Sequence, residues 1–332
     1  MIWRRTNSLF FGLVVGGALG WFVAWVTETP YLWPVWSVSL FAAALVLRIS
    51  WLVMTVYRRS GPDDKLIWRA TRACVLMVLS PALVRVLSAR EISDATGHHR
   101  LPASEIDWIV DAIEPMAARL RWAASLRDLP SFGNRLMVEL AIYTTAAHRV
   151  LLEAGIPAET ARGIVADTGW IVYSAMLRLT SLPFRLTSRD PATRLRRTIQ
   201  TLLWFPFDAP GAPGYAVNVR ADEYGIETHF THCPPQTFVR NLIAADDRDD
   251  MKAFRQSWCR YDWPGADLIA GDDQRGHYTR ARTLSHGDSV CDMCWRGHAR
   301  GSGPDTQAPV DDIERIAVLS KTAEGGHHGG RY

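Results

Sequence analysis

The sequence predicts an α+β protein: an N-terminal two-helix transmembrane hairpin, then a helical region packed on a small antiparallel sheet. Three observations point there. The first sixty residues hold two long apolar runs separated by Glu28-Thr29-Pro30. Between residues 104 and 179 the apolar side chains recur at helical spacing. After the Pro- and Gly-rich stretch 206–214 the period shortens to two, the pattern of half-buried strands.

The hairpin occupies residues 1–60. Residues 8–27 carry no charge, and at about 1.5 Å per residue they cross roughly 30 Å of hydrocarbon. Residues 31–57 carry one charge, Arg48, which is placed to snorkel to the interface, while Trp33 and Trp36 suit an interfacial belt. Arg4 and Arg5 precede the first run, Arg58, Arg59 and Lys65 follow the second, and the connection carries Glu28. That asymmetry puts both termini and the remaining chain on the cytoplasmic side of an inner membrane. A cleaved signal peptide is the alternative, but no small-residue cleavage site stands at residues 25–30. A net charge of +3 and the lack of a dense basic block argue against a nucleic-acid partner.

Residues 61–103 are expected to form a juxtamembrane amphipathic region. Arg69, Arg72, Pro81 and Arg85 interrupt 66–90 too often for a third span, so a helix on the membrane surface is expected. Cys74 reads there as a small buried hydrophobe, and His98 and His99 as loop residues. A domain over 104–298 follows. Ser104 opens a helix with Ile106, Ile109, Val110 and Ile113 on one face. Helices are expected over 135–154, stopped by Gly155-Ile156-Pro157, and over 158–179, ending before Pro183. His148 reads as a core or surface histidine, and the basic stretch 189–197 as a solvated helix face. A hairpin joins 215–219 to 226–230, a helix covers 237–258, and a second hairpin joins 278–284 to 290–295 across Ser285-His286-Gly287-Asp288. Residues 299–332, rich in Gly, Pro, Asp and His, read as a disordered tail.

No phosphate-cradling glycine loop, Gly-x-Ser-x-Gly elbow or His-Glu-x-x-His helix is present. The chemistry-bearing residues instead gather between Cys233 and Cys294, which hold four of the five cysteines. Cys233 sits where a strand gives way to a helix, a position whose backbone N–H groups favour a thiolate. His232 beside it points to the other face of the strand, whereas His229 shares the phase of Cys233. Cys259 and Asp262 share a face if the helix persists. Cys291-x-x-Cys294 suggests a zinc or redox pair, yet in a strand its two side chains face opposite ways. Cys233, Cys259, Asp262 and Cys291 come from separate elements and are expected to converge. The free thiols also fit a structural zinc held by Cys233, Cys259 and Cys291, although no cofactor is required.

Cys233-Pro234, Cys259-x-x-Asp262, and Arg282-x-Leu284 leading into Gly287-Asp288-Ser289-Val290-Cys291-Asp292 resemble the motifs of the L-2-amino-thiazoline-4-carboxylic acid hydrolase (ATC hydrolase-like) family. The likeness covers residues 106–295 and is specific from Tyr215 onward. It implies hydrolysis of a non-peptide C–N bond in a small cyclic amidine or amide. By motif position, Cys233, Cys259 and Cys291 become nucleophile or ligand candidates, with the attacking sulfur left open. Asp262 and Asp288 become acid–base candidates, and Arg282, His232 and Asp292 substrate-binding ones, Arg282 gripping a carboxylate. The hairpin, the Met-Cys-Trp after Asp292 and the polar tail depart from the pattern and extend the expected substrates to other heterocycles or amides. The alternative function is a non-enzymatic metal-binding or thiol-sensing membrane protein.

Overall fold

The structure, a computed structural model, describes residues 65–94 and 97–297. The expected hairpin over residues 1–60 and the tail from residue 299 lie outside the described residues. Contacts divide the chain at Gly61/Pro62, and the second unit is α+β. Its elements run α1 (Lys65–Ala89), β1 (Ile92–Asp94), β2 (Gly97–His99), α2 (Ala103–Leu120), α3 (Phe132–Glu153), α4 (Ala158–Thr187), α5 (Pro191–Trp204), β3 (Ala216–Ala221), β4 (Gly225–His232), α6 (Pro234–Ala245), α7 (Asp250–Gln256), α8 (Asp262–Ala270), β5 (Tyr278–Arg280) and β6 (Cys291–Arg296).

α1 departs from the expected amphipathic pattern. It is one continuous helix through Pro81, and its stretch Leu66–Ala89 is long and apolar enough to cross a membrane by length and composition. Trp68, Leu83, Val86 and Leu87 are buried, the last three in the same core as α2 and α3. Residues 65–103 therefore pack with the domain that follows rather than forming a separate region. Apolar residues also occupy the exposed side, so α1 lacks the polar face an amphipathic helix requires. Cys74 lies on that side and is exposed, not buried. His98 and His99 belong to β2, which pairs antiparallel with β1, and Ser93 Oγ lies 2.7 Å from His98 Nδ1.

Ile106, Ile109 and Ile113 of α2 are buried as expected, although Pro102, not Ser104, occupies the cap. Ser131 caps α3 by accepting from the Asn134 N–H at 3.1 Å, and α3 then runs through the centre of the larger core. Here His148 is fully buried, with Nδ1 3.2 Å from Asp250, which also receives Arg149. α4 does not stop before Pro183 but continues to Thr187. Pro183 is exposed, so the Leu179 carbonyl it cannot engage lies toward solvent rather than in the core. The helix expected over 237–258 is two: Asp246 and Asp250 both bind Arg149, and Asp249 adopts a left-handed φ of 66° between them. The acidic stretch thus turns the chain onto a buried arginine.

The four-stranded antiparallel sheet has the order β3-β4-β6-β5. Its inner face carries Ile226, Tyr278 and Trp295 against Leu195, Ile199 and Leu202 of α5 and Ala266 and Ile269 of α8. The loop before it is pinned rather than free. Asn134 Nδ2 donates to the Asp208 carbonyl at 2.8 Å and its Oδ1 accepts from the Tyr215 N–H at 2.9 Å. Gly214 admits this approach, since a Cβ there would collide with Asn134. The second hairpin is shorter than expected. β5 ends at Arg280, and residues 281–290 form a loop containing a 3₁₀ turn, Leu284–His286, closed by Gly287 at φ 102°.

Candidate functional site

Four elements meet where β4 leaves the sheet. β4 ends at His232 and Pro234 starts α6, which fixes Cys233 as the helix cap. Cys259 lies in the tight turn between α7 and α8, and Asp262 is the first residue of α8. The position of that turn is set by Tyr261, whose hydroxyl donates to the Ala166 carbonyl of α4 at 2.8 Å. It passes over Gly169, where a Cβ would overlap the phenol oxygen. From the sheet come Tyr278 and Arg280 of β5 and Cys291 at the start of β6. These are inward positions, since Tyr278 pairs with buried Trp295 and Arg280 with Met293.

The contacts are specific. Asp262 receives the Tyr278 hydroxyl at 3.3 Å and Arg280 Nη1 at 3.2 Å. Arg280 also donates through Nη2 to the Cys259 carbonyl, and its guanidinium stacks 4.6 Å from the Trp263 ring centre. Its buried Nε has no hydrogen-bond partner. Cys259 Sγ lies 3.4 Å from Ser285 Oγ, and Cys291 Sγ accepts from the Leu284 N–H at 3.2 Å. The Leu284 carbonyl in turn receives Gln236 Nε2 at 2.8 Å and Arg240 Nη2 at 2.7 Å, both from α6. One residue of the 3₁₀ turn thereby ties the loop to the helix that Cys233 caps.

Electrostatics bind the same residues into one neighbourhood. Burial raises the Asp262 carboxyl to about 6, although the Arg280 charge and the Tyr278 hydroxyl oppose it. The Cys233 thiol is raised by burial and then by Cys291, Cys259 and Asp262, against the Gln236 N–H. The helix terminus was expected to favour a thiolate here; desolvation outweighs it. Burial raises Cys291 to about 11, helped by Cys259 and Asp262 and opposed by Leu284 and Arg280. Cys259 rises for the same first reason, with Arg280 and Ser285 opposing. Burial works against the Arg280 charge, but Tyr278, Asp262, Cys259 and Cys291 more than restore it. The site thus holds three thiols raised by burial beside a carboxyl raised to about 6.

Cys233, Cys259, Asp262 and Cys291 are therefore brought together; other sequence candidates are placed elsewhere. Arg282 and Asp292 pair with each other at 3.0 Å, with the arginine side chain 56% exposed. β5 ends two residues earlier, so Arg282 follows the loop outward. Asp292 faces the outer side of β6, where its carboxylate accepts from the Ala281 and Arg282 N–H groups. Asp288 is exposed and accepts from the Thr283 N–H at 2.7 Å, which closes the loop. His232 spends both ring nitrogens on the Gly214 carbonyl and Thr237 Oγ1. His229 is exposed on the outer face opposite Asp292. Cys294 also faces outward, beside Arg296 Nε at 3.2 Å, so the Cys-x-x-Cys spacing makes no pair.

Three residues of the cluster escaped the sequence argument: Arg280, Tyr278 and Ser285. The available signal was alternation, since Tyr278 and Arg280 share the phase that puts apolar neighbours inward. Among the described residues, no group of three His, Cys, Asp or Glu side chains is placed to hold a metal ion. Comparison with family models, characterised proteins and solved structures finds no match.

Proposed function

We propose that this chain is a membrane-anchored hydrolase that opens a non-peptide C–N bond in a small cyclic amidine or amide of the 2-amino-thiazoline-4-carboxylate kind. The anchor is residues 8–57, and the catalytic domain faces the cytoplasm. The observation that carries the reading is Asp262: a buried carboxyl titrating near 6, with three thiols in its field and Arg280 on its oxygen. A carboxylate poised near the working pH is suited to move a proton both ways. In this scheme Asp262 takes the proton of a cysteine thiol as its sulfur bonds to the amidine carbon. It returns that proton to the ring nitrogen as the C–N bond breaks. Water then releases the product and the thiol is restored. Arg280, rather than Arg282, supplies the positive charge for the substrate carboxylate, and its unpartnered Nε is the free donor.

The test is hydrolysis of 2-amino-thiazoline-4-carboxylate and related cyclic amides by the full chain in membranes. Cys233→Ser, Cys259→Ser and Cys291→Ser variants are compared with it, each shown to be folded. At least one variant should lose activity by about 10³-fold or more, as loss of a covalent nucleophile does. Full turnover in all three sinks the proposal.

A further inference from the structure

Between Arg69 and Arg85 every exposed residue of α1 is apolar. Ala70, Ala73, Cys74, Met77, Val78, Pro81 and Val84 are all exposed there, with Met77 at 67%. At 1.5 Å per residue that apolar strip is about 24 Å long, with an arginine at each end. α4 packs beside α1, and Arg90 at the C-terminal end of α1 binds Asp167 in the first half of α4. Trp68 stacks on Phe132 and Arg72 binds Glu139, so α1 runs with α3 and against α4, which the short link 154–157 turns back; the second half of α4 lies toward the start of α1. That half carries a second strip, Leu179, Leu182 and Leu186, at i, i+3 and i+7, exposed by 73%, 48% and 78%. Arg178 and Arg185 flank it and are also exposed.

We propose that these two strips form a lipid-facing surface that seats the domain directly on the bilayer. Three features select lipid as the occupant. The α1 strip is apolar between two terminal arginines and the α4 strip has Arg178 and Arg185 beside it, which matches acyl chains bordered by anionic headgroups. Apolar strips this exposed are unusual for a protein surface in water. The chain outside the described residues also ends its second apolar run at Tyr57, eight residues before α1 opens at Lys65. Eight residues reach at most about 29 Å, so a membrane that takes the run lies within that distance of the start of α1. The inference rests on the membrane anchoring of residues 8–57 and is independent of the hydrolase chemistry.

The test uses the full chain in vesicles of phosphatidylethanolamine and phosphatidylglycerol, doped with a phosphatidylcholine bearing a diazirine on one acyl chain. After illumination and digestion, lipid adducts are expected on residues 70–84 and 179–186 as well as on 8–57. Met77→Glu should reduce the adducts on 70–84 several-fold. In the same vesicles Cys74 should react with a charged maleimide at least tenfold more slowly than the thiol introduced by Asp247→Cys, on the exposed acidic loop. Adducts confined to 8–57 would leave the anchor standing and overturn the surface, whether or not Cys74 is shielded. Rapid labelling of Cys74, or no adduct anywhere on the chain, overturns it as well.

Discussion

Asp262 and Arg280 meet at 3.2 Å inside the domain, yet the carboxyl still titrates near 6 rather than below its usual range. Burial therefore outweighs the ion pair. The same arginine is divided among Asp262, the Cys259 carbonyl and the Trp263 face, so its charge is not concentrated on one oxygen.

A pH-dependent stability follows from that balance. A carboxyl whose pKa is raised on folding contributes fully below its unfolded value and loses that contribution as pH rises through the folded one. For Asp262 the window runs from 3.8 to about 6, and the loss approaches 3 kcal/mol at about 1.4 kcal/mol per unit. Chemical denaturation between pH 4 and 7 should show Asp262→Asn lacking this decline, as a difference from the parent chain.

Arg280→Met should destabilise the domain by about 3–5 kcal/mol, because it leaves Asp262 buried without its cation. It should also push the carboxyl further up and abolish turnover. Arg282→Ala should cost no more than about 1 kcal/mol, as an exposed ion pair does. Denaturation midpoints of the two variants side by side give the answer, and equal losses would contradict the assignment.

Thiol reactivity should report the burial of the cluster. At pH 8 the folded chain should alkylate Cys233, Cys259 and Cys291 at least tenfold more slowly than the urea-unfolded chain, since only thiolates react. Between pH 9 and 11 Cys291 should gain reactivity before Cys233 does. Peptide-resolved mass spectrometry distinguishes the sites.

Gly169→Ala places a methyl group against the Tyr261 hydroxyl and should cost roughly 1–3 kcal/mol by overpacking. Because Tyr261 precedes Asp262, turnover should fall along with stability. Tyr261→Phe keeps the ring and removes the hydroxyl's bonds to Ala166 and Ser257, so its loss should stay near about 1–2 kcal/mol.

The sequence disclosed the elements that depend on local pattern. The period-two stretches around Val217 and Phe230 became β3 and β4, and the cysteine–aspartate set converged because each member lies at an element boundary. What escaped it depends on tertiary context. Arg282 looked like the anion-binding arginine because it stands inside a motif, but strand pairing ends at Arg280, which turns inward to Asp262, while Arg282 follows the loop outward to Asp292. Pro183 failed to end α4 because the carbonyl it leaves free faces outward. The break between α6 and α7 is set by Arg149, which lies about a hundred positions earlier in the chain. Cys74 looked like core in an apolar stretch, since composition does not tell which side of a uniformly apolar helix is covered.

The sheet order has a consequence for biosynthesis. β6, the last strand in sequence, sits between β4 and β5 and carries Cys291. On a translating ribosome, the sheet's two halves have no bridge until residue 296 has cleared the exit tunnel. Any chain released before residue 291 lacks both Cys291 and the strand that pairs with the one carrying Arg280. Products truncated before β6 should therefore carry no residual activity and be cleared as unfolded.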